Sequence, residues 1–227
     1  MVKYMKNRDL KISFILNIII VLFTIFATYS MFTGLHFTKG QDLVLEAGKL
    51  GMFQYFTVDS NLFMGIISLL FTYYEYLVLS NKKKEIPKFA YILKLMSTTS
   101  VVLTFLVVFL YLGPISKGGI MSMLQNANLF YHGIVPMLSI ITFIFFEKTN
   151  KIIFKDTFLA LLPMGIYGLF YLTNIIIHME NGKVSPFYDW YWFVQNGVWT
   201  IVIVLPVMFG FTYLIGFILY RINHIKK

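Results

Sequence analysis

The chain contains no cysteine, which excludes disulfides, thiolate nucleophiles and cysteine-ligated metals. Redox chemistry therefore gives no clue to compartment. Charge is scarce: Asp, Glu, Lys and Arg together make up 13% of the 227 residues, and the acids number only 10. A soluble domain carries about twice that charged fraction, so a soluble globule is excluded as well. Solenoid-type repeats and low-complexity tracts are missing, and no loop is long enough to form a second domain. What is abundant is apolar. Hydrophobic residues reach 58% and mean hydropathy is +0.75, and they come in blocks of about twenty, the length that crosses a bilayer core.

These blocks predict an all-α, polytopic membrane helical bundle, a single domain over residues 1–227, with six transmembrane helices. The spans fall at Ile12 to Met31, Ser60 to Leu79, Phe89 to Leu112, Leu129 to Phe146, Thr157 to Ile177 and Gly197 to Tyr220. The first block follows Lys3, Lys6, Arg8 and Lys11 as a signal peptide would, but it is too long and has no small-x-small cleavage site, so it reads as a helix. The net charge of +9 comes from 19 basic residues, 17 of them lysine. Basic residues clustered between apolar blocks are a membrane-orientation signal rather than a nucleic-acid surface, so no nucleic-acid partner is expected. Fourteen lie on the side of the termini: the N-terminal four, Lys82, Lys83, Lys84, Lys88, Lys148, Lys151, Lys155, Arg221, Lys226 and Lys227. Lys39, Lys49, Lys117 and Lys183 lie on the other side, and Lys94 lies inside the third span. Both termini are therefore expected in the cytoplasm. The bias towards lysine, isoleucine and phenylalanine fits an AT-rich bacterial genome and a bacterial cytoplasmic membrane.

The aromatic run Phe187, Tyr188, Trp190, Tyr191, Trp192 and Phe193 then forms an outer-interface belt. The loop from Phe32 to about Met52, with four glycines, has the composition of a lid over the outer end of the bundle. Pro136, Pro163 and Pro206 sit inside spans four, five and six, where each removes a backbone donor and predicts a kink.

Polar groups at membrane depth are costly, so function is sought there first. Glu75 and Lys94, near the cytoplasmic ends of their spans, are expected to snorkel or to pair with each other. Ser97, Thr98, Thr99 and Ser100 are expected to glue helices together. The stretch Tyr55-Phe56-Thr57-Val58-Asp59-Ser60-Asn61 is richer. Asp59 or Ser60 is a natural N-cap for span two, which leaves Thr57 and Asn61 unexplained. If the helix reaches back through Thr57, then Thr57 and Asn61 share a face and Asp59 points the other way. In span four, His132 precedes Pro136 by four residues, so its carbonyl should lose its helical partner and the helix should bend beside the imidazole. Spans two and four run in the same direction, which puts Thr57 and His132 at similar depth. Asn174 and His178 lie at the same end, on span five, with Asp189 in the loop that follows.

A hydroxyl beside an imidazole is the minimum kit for acyl transfer: histidine takes the proton, the oxygen attacks a carbonyl, and nearby donors steady the oxyanion. Thr57 and His132 are the candidate nucleophile and base. Asn61 is a candidate oxyanion donor, and Asp59, Asp189 or Asn174 a candidate for orienting the histidine. Tyr55-Phe56-Thr57 with Ser60-Asn61, and His132 with Pro136, resemble the androgen-induced-protein-like family, which includes the androgen-dependent TFPI-regulating protein and bacterial relatives. Asp59 departs from its vertebrate pattern. The resemblance covers nearly the whole chain and implies a six-span threonine hydrolase that cleaves fatty acid esters, with Thr57 as nucleophile and His132 as base, no cofactor, and membrane lipids or a lipid-like substrate as partners. Two alternatives stand beside it. One is a small transporter or channel, suggested by three proline-broken helices but lacking a charged group near the midplane. The other is a metal site built from His36, His132, His178 and Asp189, which has none of the usual ligand spacing, so that no metal is expected.

Overall fold

A segment in lipid must satisfy its own backbone, and a helix does so within one stretch of chain. All six apolar blocks are helical. The computed structural model describes residues 7–38, 49–116, 118–194, 197 and 199–224. Six helices are long and apolar enough to cross a membrane: α1 (Asn7–Thr33), α2 (Phe56–Leu79), α3 (Lys88–Ile115), α4 (Ala127–Phe146), α5 (Phe154–Ile177) and α6 (Trp199–Asn223). A two-stranded hairpin, β1 (Met179–Glu180) with β2 (Lys183–Val184), links α5 towards α6. The architecture is that of a multi-pass membrane protein.

The helices bury their small and polar residues and turn their bulk outward. On α1, Ser13, Asn17, Ile20, Thr24, Ala27 and Ser30 recur every three or four positions on the buried face, while Ile15, Leu22, Ile25 and Tyr29 are exposed. Lipid tails are as apolar as leucine, so helices associate through close packing and interhelical hydrogen bonds rather than by hiding apolar surface. The contact of α1 with α2 is the tightest case: a Cβ on Gly65 would lie 2.8 Å from Thr24 Cγ2. The Ser97–Ser100 stretch of α3 is fully inside the bundle. Thr98 and Thr99 there make no hydrogen bond, so they serve by their size.

The prolines act through changes of helix type. Pro114, Pro136 and Pro163 each open an α-helical segment that follows a different winding: π over Val108–Leu112 and Phe130–Ile134, and 3-10 over Phe154–Leu161. Pro206 sits within an unbroken α6.

Both described termini lie at one end of the bundle. Ser13 near the start of α1 donates to Glu147 at the end of α4 (3.3 Å), and Thr149 pairs with His224 after α6. The expectation for Glu75 and Lys94 at this end is overturned: neither snorkels, because both are completely buried. Nor do they pair directly. The ionic partner of Lys94 is Glu147 (3.5 Å), and Asn17 stands between, donating to Glu147 at 2.9 Å and to Glu75 at 3.3 Å. Burial without water demands a partner, and Glu147 supplies a closer one than Glu75.

The opposite end is closed by the 3-10 turn Lys49–Gln54, the hairpin and the aromatic run. The run is not a uniform belt: Phe187 and Trp192 are exposed, while Trp190 and Tyr191 fold inward against Tyr167 and Tyr171 of α5. Of the loop from Phe32 to about Met52 expected to form a lid, residues 39–48 lie outside the described residues, Phe32 and Thr33 end α1, and Lys49 onward forms the 3-10 turn.

Candidate active site

Helix α2 begins at Phe56, after Tyr55 in extended backbone, and no side chain caps it. The capping roles considered for Asp59 and Ser60 are therefore corrected: the helix starts one turn earlier than they require. One of its first free N–H groups, that of Phe56, donates instead to the hydroxyl of Tyr191 at 2.9 Å. Burial pushes that phenol up to about 12, so it stays protonated. Asp59 lies in the first turn, where a carboxylate interacts favourably with the helix dipole.

Because Thr57 is helical, its neighbour one turn on is Asn61. The Asn61 amide donates to Thr57 O at 2.8 Å and across to Tyr131 O on α4 at 3.1 Å. Winding explains why Tyr131 needs it. In the π segment the N–H of Val135 reaches back to Phe130 O, leaving the Tyr131 carbonyl to a donor five residues on, which is Pro136 and has none. Regular α-helical winding would orphan the carbonyl of His132; the π shift moves the orphan by one residue, to Tyr131, and Asn61 takes it up. This bond ties the Thr57 turn of α2 to the His132 turn of α4.

His132 is completely buried. Its Nδ1 lies 2.8 Å from the carbonyl of Met123. A carbonyl only accepts, so Nδ1 carries the proton and Nε2 is left with a lone pair. That Nε2 is buried and without a hydrogen-bond partner, and so is Asn61 Oδ1. The Thr57 hydroxyl is therefore not bonded to His132 in this conformation. Thr57 is itself buried, at 9% exposure. Asn61 is poorly placed for the oxyanion role while its amide serves two backbone carbonyls.

The neighbouring face of α2 borders a groove of about 700 Å³ between α2, α3 and α5. Phe56, Asp59, Ser60 and Phe63 form its α2 wall, and Asp59 is its one charged lining residue. Ile166 and Phe170, on the far wall, lie on the outer surface of the bundle, so the groove opens sideways to where lipid would be. Thr57 is one step round the helix from this wall. Ser60 links the two, with its hydroxyl in the groove wall donating to Thr57 O at 3.1 Å.

Asp59 thus faces away from Thr57, as the helical spacing predicts, and is not near enough to orient His132 by any hydrogen bond. Asn174, His178 and Asp189 form a separate group at the end of α5. Asp189 accepts from the Tyr171 hydroxyl and from the N–H groups of Phe193 (2.9 Å) and Val194 (3.0 Å), holding the aromatic turn. Asn174 donates to Tyr188 O at 2.6 Å, and His178 stacks on the Tyr188 ring at 3.6 Å. His36 lies beside Asn126, at 2.9 Å. Among the described residues no group of three or more His, Asp or Glu is placed to hold a metal ion.

Sequence reasoning missed three parts of this site: the Met123 carbonyl, the Tyr191 hydroxyl, and the roof in which Trp190 Nε1 donates to Tyr167 OH (2.9 Å) and Tyr167 to Gln54 O (2.6 Å). Only the density of aromatics from 187 to 193 hinted at the last two. Fold and site together define a membrane helical bundle with a buried histidine on α4 and, between α2, α3 and α5, an apolar groove that opens at the bundle's surface. The chain matches no family model, no curated protein and no solved structure.

Proposed function

We propose that the protein is an intramembrane hydrolase or acyl-transfer enzyme acting on fatty acid esters of membrane lipids, with Thr57 as nucleophile and His132 as base. One observation carries the reading: a fully buried imidazole whose Nδ1–H is pinned by a backbone carbonyl and whose Nε2 lone pair is uncommitted, on a helix tied to the Thr57 turn. That is the tautomer a general base needs. In the first step Nε2 takes the Thr57 hydroxyl proton as the oxygen attacks the ester carbonyl. The alcohol then leaves with that proton, and water or a second alcohol releases the acyl group from Thr57. A small approach of the two side chains precedes the step, since catalytic hydrogen bonds commonly tighten only around substrate. The groove fits an acyl chain by its apolar walls, its sideways opening and its volume, which is within the range of ligand sites. Asp59 and Ser60, at the groove wall, would meet the polar part of the ester.

The resemblance in Tyr55-Phe56-Thr57, Ser60-Asn61 and His132 belongs to the same reading, as does the orientation. With the lysine-rich end in the cytoplasm of a bacterial cell, the site takes its substrate from the outer leaflet. Ester turnover by purified protein in lipid micelles tests it. Thr57→Val removes the hydroxyl at constant shape and is expected to abolish turnover, whereas Thr57→Ser keeps it. His132→Asn retains a donor for Met123 O but no base, and is also expected to be inactive. Full activity in both Thr57→Val and His132→Asn contradicts the assignment.

A transport function is favoured by one observation, the wholly buried Lys94 with two carboxylates near it, which lies towards the end of the bundle that holds the described termini and not at the midplane. Substrate-dependent flux in liposomes that survives Thr57→Val would select it.

A further inference from the structure

Outside the groove's lining, where α1, α2, α3 and the end of α4 converge, lies a polar cluster with no solvent exposure at all: Ser13, Asn17, Ser68, Glu75, Lys94 and Glu147. The Lys94 ammonium donates to Asn17 Oδ1 and to Ser68 Oγ (2.9 Å) and faces Glu147 Oε1 at 3.5 Å. Glu147 Oε1 also accepts from Ser13 (3.3 Å) and Asn17 (2.9 Å). Glu75 accepts from Asn17 at 3.3 Å on Oε2. Two carboxyl oxygens, Glu75 Oε1 and Glu147 Oε2, are buried with no hydrogen-bond partner.

The charges do not balance. Two carboxylates and one ammonium leave a net negative charge in a dry interior, where an uncompensated ion is costly. The other titratable groups facing the cluster do not correct this. Tyr91 of α3 is neutral or negative, and Lys151 stands over its ring at 5.9 Å, outside the cluster. From α1 come only Ser13 and Asn17, which do not titrate. Burial pushes the Glu147 carboxyl up, while Lys94, Asn17 and Ser13 pull it the other way.

We propose that the cluster is a binding site for one proton, shared by Glu75 and Glu147 and residing on Glu75, so that its occupancy ties together four of the six helices. Glu147 keeps the ammonium and two hydrogen bonds. Glu75, which meets Asn17 where Glu147 meets the ammonium, is the acid that remains neutral. The site is too filled by the Lys94 side chain to suit a bulkier cation, which would have to sit against the ammonium. Loss of the proton leaves the excess charge inside α1–α4 and loosens that end of the bundle. The inference does not depend on the hydrolase reading, since none of these residues touches Thr57, His132 or the groove.

Infrared difference spectroscopy of the full chain in lipid tests it through the protonated-carboxyl C=O band that shifts in D2O. The wild type is expected to show one such buried acid. Glu75→Gln and Glu147→Gln are each expected to show none, because either change leaves one carboxylate facing one ammonium. Lys94→Met should show two, and if that variant does not fold, the two glutamine variants decide the matter alone. Stability follows the same count: a proton bound in the folded state and absent from the unfolded one means that wild-type stability falls as pH is raised. Glu75→Gln should remove that fall, with unchanged ester turnover wherever the wild type shows any. A buried-acid band that persists in Glu75→Gln, or no band with stability that rises in sodium but not choline chloride, overturns the proposal. The latter result would assign the site to an alkali cation.

Discussion

Asn61 offers the sharpest test of how the site is assembled, because its amide holds two carbonyls on different helices. Replacement by alanine removes the bond to Thr57 O, which retains the Ser60 hydroxyl at 3.1 Å, and the bond to Tyr131 O, which Pro136 leaves with no donor from its own helix. The first loss should cost little. The second strands a buried carbonyl, at about 1–3 kcal/mol, whereas an interhelical hydrogen bond in lipid is itself worth only ~0.6–1.7 kcal/mol. The expected destabilisation for Asn61→Ala is therefore about 1–3 kcal/mol. Asn61→Asp is the diagnostic variant. An ionised carboxylate would present acceptors to two acceptors, and this variant should be less stable than Asn61→Ala by about 1 kcal/mol or more. Reversible unfolding in mixed micelles, followed by circular dichroism, measures both. The reasoning fails if Asn61→Asp is as stable as Asn61→Ala, or if both lie within about 0.5 kcal/mol of wild type.

Gly65→Ala should destabilise the α1–α2 contact by about 1–3 kcal/mol, since the new Cβ meets Thr24 Cγ2 at 2.8 Å; a Thr24→Ala change in the same chain should restore most of the loss in the same unfolding assay. Asp189→Ala removes the acceptor of the Tyr171 hydroxyl and of two backbone N–H groups, and should cost about 2–4 kcal/mol. Asp189→Asn, which keeps one acceptor oxygen, should cost less, and equal losses would show that the turn does not depend on those bonds. Tyr191→Phe leaves the Phe56 N–H without its acceptor and should lower stability by about 1 kcal/mol; hydrogen exchange at Phe56 should speed up while exchange at the centre of α2 stays as it was.

The sequence carries the six helices plainly, because a run of about twenty apolar residues has few other fates. The shared depth of Thr57 and His132 was also legible from the common direction of the two spans, as was the shared helix face of Thr57 and Asn61 from their one-turn spacing. What could not be read is the winding. A π segment displaces the unsatisfied carbonyl by a single residue, and nothing in Phe130-Tyr131-His132-Gly133-Ile134 announces it. Glu147 was equally hidden. As a lone acid beside Lys148 it looks like part of a surface turn, and only the convergence of α1, α2 and α3 reveals that it is the counterion of Lys94. Asp189, Asn174 and His178 illustrate the opposite error: polar residues near a site in depth and side were given roles in it, whereas in three dimensions they hold a turn of their own. Depth along a membrane axis follows from sequence, but position around the bundle does not.

In the proposed reaction Thr57 is the nucleophile and His132 activates it. Site mapping by mass spectrometry after reaction with a lipid-like fluorophosphonate addresses this most directly. One covalent adduct is expected on Thr57, absent in Thr57→Val and strongly reduced in His132→Asn. An adduct on Ser60 in the groove wall, or labelling of Thr57 at the same rate without the imidazole, would contradict it.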